Sequence, residues 1–153
     1  MSYLVDCHSH INEFNIEEIQ NILNRAQRSE VSKIIVAGTT LESSNQCTLL
    51  ANKFNSLFSG VGIHPMDIKF PVTEKTIDQL IQIKQSNDKV VVVSEIGLDF
   101  MDGMPDRELQ YNAFRLQIRM ARSLNLPVIF HSREADSETL RILKEEKAFE
   151  VGG

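Results

Sequence analysis

Asp6, His8 and His10 alternate in the stretch Tyr3-Leu4-Val5-Asp6-Cys7-His8-Ser9-His10, where an apolar start runs into polar residues. On a β-strand the side chains repeat every two residues, so these three leave from one face and the two histidine Cα atoms stand about 6.5 to 7 Å apart. That spacing suits a single divalent cation. Imidazole is a common ligand for zinc, iron and nickel, and a nearby carboxylate can either ligate or orient a ligating ring through its other nitrogen. Asp6 fits either role, and the His-x-His pair by itself also fits a capping or surface pair. The other two histidines, His64 and His131, and one glutamate, Glu95, each sit at the C-terminal end of a separate strand-like apolar run.

Each of these residues also has a plainer reading. Glu95, after four valines, could cap a strand end or pair with Arg133. His64 before Pro65 could be a turn residue, and His131 a hydrogen-bonded core histidine. Arg133 could anchor phosphate or make a surface pair. Asp99 could stand behind a ligand or cap a loop, and Asp102-Gly103 reads as a turn.

The elements that must position these groups alternate along the chain. Asn15 with Glu18 three residues on can cap a first helix, carrying Ile16, Ile19, Leu23 and Ala26 at helical spacing. A short aliphatic run at 33–38 ends in glycine, and a second helical pattern carries Cys47, Leu50 and Phe54. A third strand at 57–62 leads into Ile63-His64-Pro65, and Thr73 caps a third helix built on Ile77, Leu80 and Ile81. The valines at 90–93 lack polar alternation, which implies a strand covered on both faces, as in a parallel sheet flanked by helices. Pro105 opens a long fourth helix with Leu109, Ala113, Leu116, Met120 and Leu124 as its stripe. A fifth strand at 127–131 and a fifth helix follow, with Leu140 and Leu143 on the latter.

Composition bounds what such a chain can be. With 153 residues, 42% of them hydrophobic, one domain with a sizeable core is expected. No apolar run exceeds four residues, so a signal peptide or membrane span is not expected and a cytoplasmic location is. Cys7 and Cys47 are expected reduced and buried, with Cys7 facing away from the histidines. A formal charge of −5 argues against a surface that coats nucleic acid generally, but not against a nucleic-acid substrate, because cations in a cleft add local positive charge.

Five strand-helix units in strict alternation predict a parallel α/β architecture, doubly wound or barrel. The position of His8, His10, His64, Glu95 and His131 at or just past strand C-termini favours a TIM-type (β/α) barrel, which builds its active site on that face. A doubly wound fold usually carries a glycine-rich phosphate turn after its first strand, and no G-x-G-x-x-G occurs here.

The motifs Asp6-Cys7-His8-Ser9-His10, Gly62-Ile63-His64-Pro65, Glu95-Ile96-Gly97-Leu98-Asp99 and Asn125-Leu126-Pro127-Val128-Ile129-Phe130-His131-Ser132-Arg133, in this order, resemble the TatD family of metal-dependent deoxyribonucleases within the amidohydrolase-like barrels. The resemblance covers the whole chain, including Gln110 and Phe114. It implies a hydrolase that cleaves phosphodiesters of DNA by a water activated between two divalent metal ions (Mg, Mn or Zn). His8 and His10 would hold one metal, Glu95 would bridge both, and His131 would hold the second. His64 and Arg133 would bind substrate phosphate. Only a carboxylate has two oxygens to share between cations about 3.5 to 4 Å apart, which suits Glu95 to bridging. Members of that family carry a further ligand histidine and a late aspartate, the expected general base, at positions beyond Gly153. A complete eight-unit barrel takes about 250 residues, so residues 1–153 are expected to form a single hydrolase domain truncated after five of eight units. Its open sheet edges would favour self-association and low activity. The alternatives are another carbon-nitrogen or ester hydrolase of the wider barrel group, or a catalytically inert fragment. The wider group often bridges its metals with a carbamylated lysine at the end of strand four, where this chain has Glu95.

Overall fold

The computed structural model describes residues 4–153; Tyr3, at the start of the expected first strand, lies outside the described residues. Five strands, β1 (Leu4–Ser9), β2 (Val31–Ala37), β3 (Leu57–Val61), β4 (Val90–Asp99) and β5 (Val128–Arg133), alternate with helices α1 (Ile16–Arg28), α2 (Leu41–Lys53), α3 (Glu74–Gln85), α4 (Arg107–Leu124) and α5 (Asp136–Glu145). All strand pairs are parallel and lie in chain order, β1-β2-β3-β4-β5, so the sheet curls as a half-barrel with its helices. Each helix returns the chain to the same end of the sheet, and every strand therefore points its C-terminus at one mouth.

Local chemistry sets most of the boundaries. Asn15 Oδ1 accepts the Glu18 N–H at 3.0 Å while Glu18 Oε2 accepts the Asn15 N–H at 3.1 Å, satisfying two amides that the first turn of α1 leaves open. Thr73 and Thr76 make the same reciprocal cap at α3, and Thr40 and Ser43 make it at α2. Helix α4 departs from expectation. Its cap is Asp106, whose Oδ1 accepts the Glu108 and Leu109 N–H groups, and Pro105 stands outside the helix. A carboxylate is a strong acceptor at the positive end of a helix, so it decides where the helix begins. The inner face of α4 differs too. Ala113 and Met120 are buried as expected, but Leu109, Leu116 and Leu124 pack only partly, while Gln110 and Gln117 are wholly buried beside Phe114 and Ile118.

Two apolar clusters hold the layers together. The larger runs from α3, α4 and α5 onto β3, β4 and β5, with Val90, Val93, Leu98, Phe114 and Ile142 at its centre. The smaller joins α1 and α2 to β2 through Ile19, Leu23, Val36, Cys47 and Leu50. Burial pushes the Cys47 thiol up to about 12, so it stays a neutral packing group. Cys7 is free but exposed, contrary to expectation. Its strand is the cause: β1 pairs only with β2 among the described residues, and Leu4 and Val5 are 59% and 45% exposed rather than set in a core. No described helix is long and apolar enough to cross a membrane.

Glu146 ties the end of α5 to α4. Its carboxylate takes a two-pronged contact from Arg119 at 2.7 and 2.8 Å and a third from Arg115 at 2.8 Å. The Arg119 hydrogen bonds hold this carboxyl below its usual range, near 4.5, outweighing burial. A depressed folded value means that the stabilisation is fully present above about pH 4.5 and is lost as pH falls through the folded value. Glu146→Gln is therefore expected to cost about 1 to 2 kcal/mol at pH 7, less than a fully buried ion pair because Arg119 is half exposed, and to cost progressively less in acid. Thermal unfolding of both proteins from pH 7 to pH 3 reads this directly.

Candidate metal centre

Glu95 lies within β4, two residues past the last pair of the β3–β4 ladder, Val61 with Val93. Between Val93 and Ile96, β4 takes three steps while β5 takes two, and this bulge re-aims the Glu95 side chain. The Ser94–Glu95 peptide is cis. The Glu95 N–H donates to the Gly38 carbonyl at 2.8 Å, which fastens the residue to the end of β2.

The two carboxylate oxygens of Glu95 face different partners. Oε2 lies 3.3 Å from His8 Nε2 and 3.8 Å from His10 Nε2; Oε1 lies 3.6 Å from both His64 Nε2 and His131 Nδ1. His8, His10 and Glu95 thus form one group of converging ligand atoms, and His64, His131 and Glu95 a second. Interaction with the His64 ring is the chief influence that holds the Glu95 carboxyl below its usual range; burial opposes it, and the His8 and His131 rings assist. Glu95 is an anion among four imidazoles.

Hydrogen bonds to the far sides of two rings decide what each can offer. His64 Nδ1 accepts the Met66 N–H at 3.2 Å, so the proton of the neutral ring sits on Nε2, the atom that faces Glu95. His131 is arranged the opposite way. Its Nε2 meets Asp99 Oδ2 at 2.9 Å, which leaves the Nδ1 lone pair turned toward Glu95. Asp99 is wholly buried; burial alone would raise its carboxyl, but the Met101 N–H and His131 outweigh that and hold it low. Gly97 pairs with His131 at φ +135°, and a Cβ there would stand 2.0 Å from the His131 carbonyl oxygen. Only glycine permits both that backbone and that approach.

A sequence model of the family described as TatD related DNase matches residues 5–153. The chain belongs to the TatD-related DNase family. It is 31% identical over 153 residues to the uncharacterized metal-dependent hydrolase YabD of Bacillus subtilis, covering 98% of this chain and 58% of that protein. It is 32% identical over 129 residues to the 3'-5' ssDNA/RNA exonuclease TatD of Citrobacter koseri, covering 84% of this chain and 49% of that one. The crystal structure of YJJV, a TatD homolog from Escherichia coli K12, superposes with a TM-score of 0.84 at 32% identity, over 95% of this chain and 56% of its own. An uncharacterized amidohydrolase from Saccharomyces cerevisiae shares the fold, with a TM-score of 0.80 at 16% identity over 99% of this chain and 57% of that one. The chain therefore spans between 49% and 58% of the length of these proteins.

In this TatD-family chain the donor set fits a divalent cation at the first group. His8 Nε2 and His10 Nε2 stand 3.2 Å apart, and two ligand atoms bound at about 2.1 Å around one tetrahedral ion stand about 3.3 to 3.4 Å apart. Without an ion, at most one of those nitrogens can donate to the other. The far nitrogen of His8, Nδ1, is buried without a partner among the described residues.

Of the six residues singled out from sequence, His8, His10, His64, Glu95 and His131 converge. Arg133 does not join them. It lies two residues past His131 on β5, pairs in register with Asp99, is exposed, and makes no ion pair among the described residues. Among the described residues neither the Glu95–Arg133 pair nor an Arg133 surface pair forms, and the Asp6 carboxylate accepts the His8 backbone N–H at 3.2 Å. Asp99 turns out to do both things considered for it, holding His131 with one oxygen and the Met101 amide with the other. The signal for it was its place two residues beyond Gly97 at a strand end.

Proposed function

We propose that this chain carries the metal-binding half of a hydrolase that cleaves phosphodiesters in DNA. The observation that carries the reading is Glu95, whose two oxygens each face a separate pair of imidazoles. In this reading His8, His10 and Glu95 would hold one divalent cation, and His131 with Glu95 would hold a second, Mg, Mn or Zn. Such cations, when bound, supply Lewis acidity that activates water and offsets charge on a phosphoryl group. The chain's own residues do the rest. Asp99 keeps the His131 ring turned so that Nδ1 faces the site. His64, with its proton on Nε2, is a hydrogen-bond donor for a phosphate oxygen and a poor ligand. Arg133, exposed and without an ion pair among the described residues, offers a cationic contact to phosphate beside the neutral donor of His64. Phosphodiester chemistry is favoured over amide or lactone hydrolysis by the carboxylate at the bridging position and by the nuclease name of the Citrobacter koseri relative.

The test is hydrolysis of a single-stranded DNA oligonucleotide by the full-length protein with Mg²⁺ or Mn²⁺, set against a panel of amides and lactones. Cleavage of the oligonucleotide that stops with a chelator is expected. Turnover of the panel without cleavage of DNA would overturn the reading.

A second property rests on the sheet edges. β1 and β5 each present a flank with no strand partner among the described residues, and Phe130, on β5, is 40% exposed. Unpaired edges recruit strands, so the 153-residue chain alone is expected to self-associate. Light scattering that finds a monomer across concentration would refute this.

A further inference from the structure

Beyond Val61 and Val93 the β3–β4 ladder stops; farther along, the His64 N–H bonds to the Thr39 carbonyl and, at the end of β4, the Phe100 N–H bonds to that of Arg133. The alternate backbone groups, those of Ile63 and Asp99, are then left without a partner between β3 and β4, although Asp99 pairs with Arg133 on its other side, and burial makes an unmet polar group costly. Two side chains of α4 meet them. Gln117 Oε1 accepts the Ile63 N–H at 2.6 Å and its Nε2 donates to the Ile63 carbonyl at 3.1 Å. Gln110 Oε1 accepts the Asp99 N–H at 2.7 Å, and its Nε2 donates to the Asp99 and Pro105 carbonyls at 2.8 and 2.7 Å.

A side-chain amide carries one acceptor and two donors, so it can stand in for the missing strand at one residue. The two glutamines are seven residues apart, close to two helical turns, and project from the same inner face of α4. Both are wholly buried. Each grips a peptide at one half of the metal centre. Ile63 is bonded directly to His64, and Asp99 carries the carboxylate that orients His131.

We propose that Gln110 and Gln117 are positioning residues with separate duties, Gln110 for the Asp99–His131 pair and Gln117 for His64. The inference rests on the two-cation reading above. A leucine of similar size would fill the same space, yet would leave the Ile63 and Asp99 peptides free to shift and the two rings with them. Because one ring is assigned to a cation and the other to phosphate, the two glutamines should fail in different ways.

The experiment is Mn²⁺ titration of the full-length wild type, Gln110→Met and Gln117→Met, with free Mn²⁺ read by electron paramagnetic resonance, alongside kcat and KM on the oligonucleotide. Methionine keeps length and bulk and removes the hydrogen bonds. Gln110→Met is expected to weaken one Mn²⁺ site about 10- to 100-fold, as loss of an outer-sphere support does elsewhere, with the other site unchanged. Gln117→Met is expected to keep both Mn²⁺ ions and raise KM with little change in kcat. Variants that lose both sites together in step with a lower Tm, or that lose nothing, would overturn the proposal and make the glutamines packing residues. Should the variants not fold, hydrogen exchange in the wild type decides: the Ile63 and Asp99 amides are expected to exchange as slowly as ladder amides, and rapid exchange at either would refute the clamp. A wild type that takes up no Mn²⁺ would instead overturn the two-cation reading.

Discussion

Glu95→Gln is expected, on the two-cation phosphodiesterase reading proposed above, to reduce bound Mn²⁺ from two ions to at most one and to lower DNA hydrolysis by more than about 10²-fold, the upper range for losing a mere outer-sphere support. Glutamine preserves shape. It replaces one carboxylate oxygen by an NH₂ group and removes the charge, so one of the two imidazole groups loses its shared acceptor, whichever way the amide turns. His64→Ala should behave differently. If its Nε2–H serves phosphate, its loss removes one hydrogen bond to a charged group, worth roughly 1.5 to 3 kcal/mol, and should raise KM about tenfold or more while leaving Mn²⁺ binding intact. Metal titration and steady-state kinetics on both variants separate the cases. Equal losses of kcat, with Mn²⁺ lost from His64→Ala as well, would make His64 a ligand.

On the same reading, the double variant His8→Ala with His10→Ala should keep one Mn²⁺ and lose the proposed Mg²⁺-dependent nuclease activity. Both imidazole nitrogens of the first group come from this one strand end, 3.2 Å apart, and Glu95 Oε2 alone is too weak a donor set for a cation. The second group, His131 with Glu95 Oε1, is untouched by the change. Elemental analysis should therefore show the stoichiometry halved rather than abolished. Activity equal to wild type would remove β1 from the site altogether.

Much of this protein was legible in its residues because the relevant forces are local. The Asn15–Glu18 and Thr73 caps, the runs of aliphatic residues between helical stripes, and the alternation of His8 with His10 all act over a few positions. Strand-helix alternation then leaves a parallel sheet with its strand ends at one mouth. Spacing alone placed the five ligand-type residues on that side.

The rest was settled by contacts between residues far apart in the chain. That Glu95 turns one oxygen to His8 and His10 and the other to His64 and His131 depends on a bulge between β4 and β5, and so on register across 32 or more residues. The proton on His64 is placed by the Met66 amide, and the ring of His131 by Asp99. The stripe of α4 was read as Leu109, Ala113, Leu116, Met120 and Leu124; Ala113 and Met120 are buried, but Gln110 and Gln117 are wholly buried where the three leucines are only partly so, since hydrophobic periodicity counts apolar atoms and cannot foresee where a ladder ends and leaves peptides unmet. Likewise Leu4 and Val5 have the composition of a core strand and stand exposed at the sheet edge. Residue types and their spacing determined which groups reach the mouth of this half-barrel. Which atom of each faces which partner was decided only when distant backbones came together, because hydrogen-bond direction and burial belong to the assembled neighbourhood and not to any short stretch of chain.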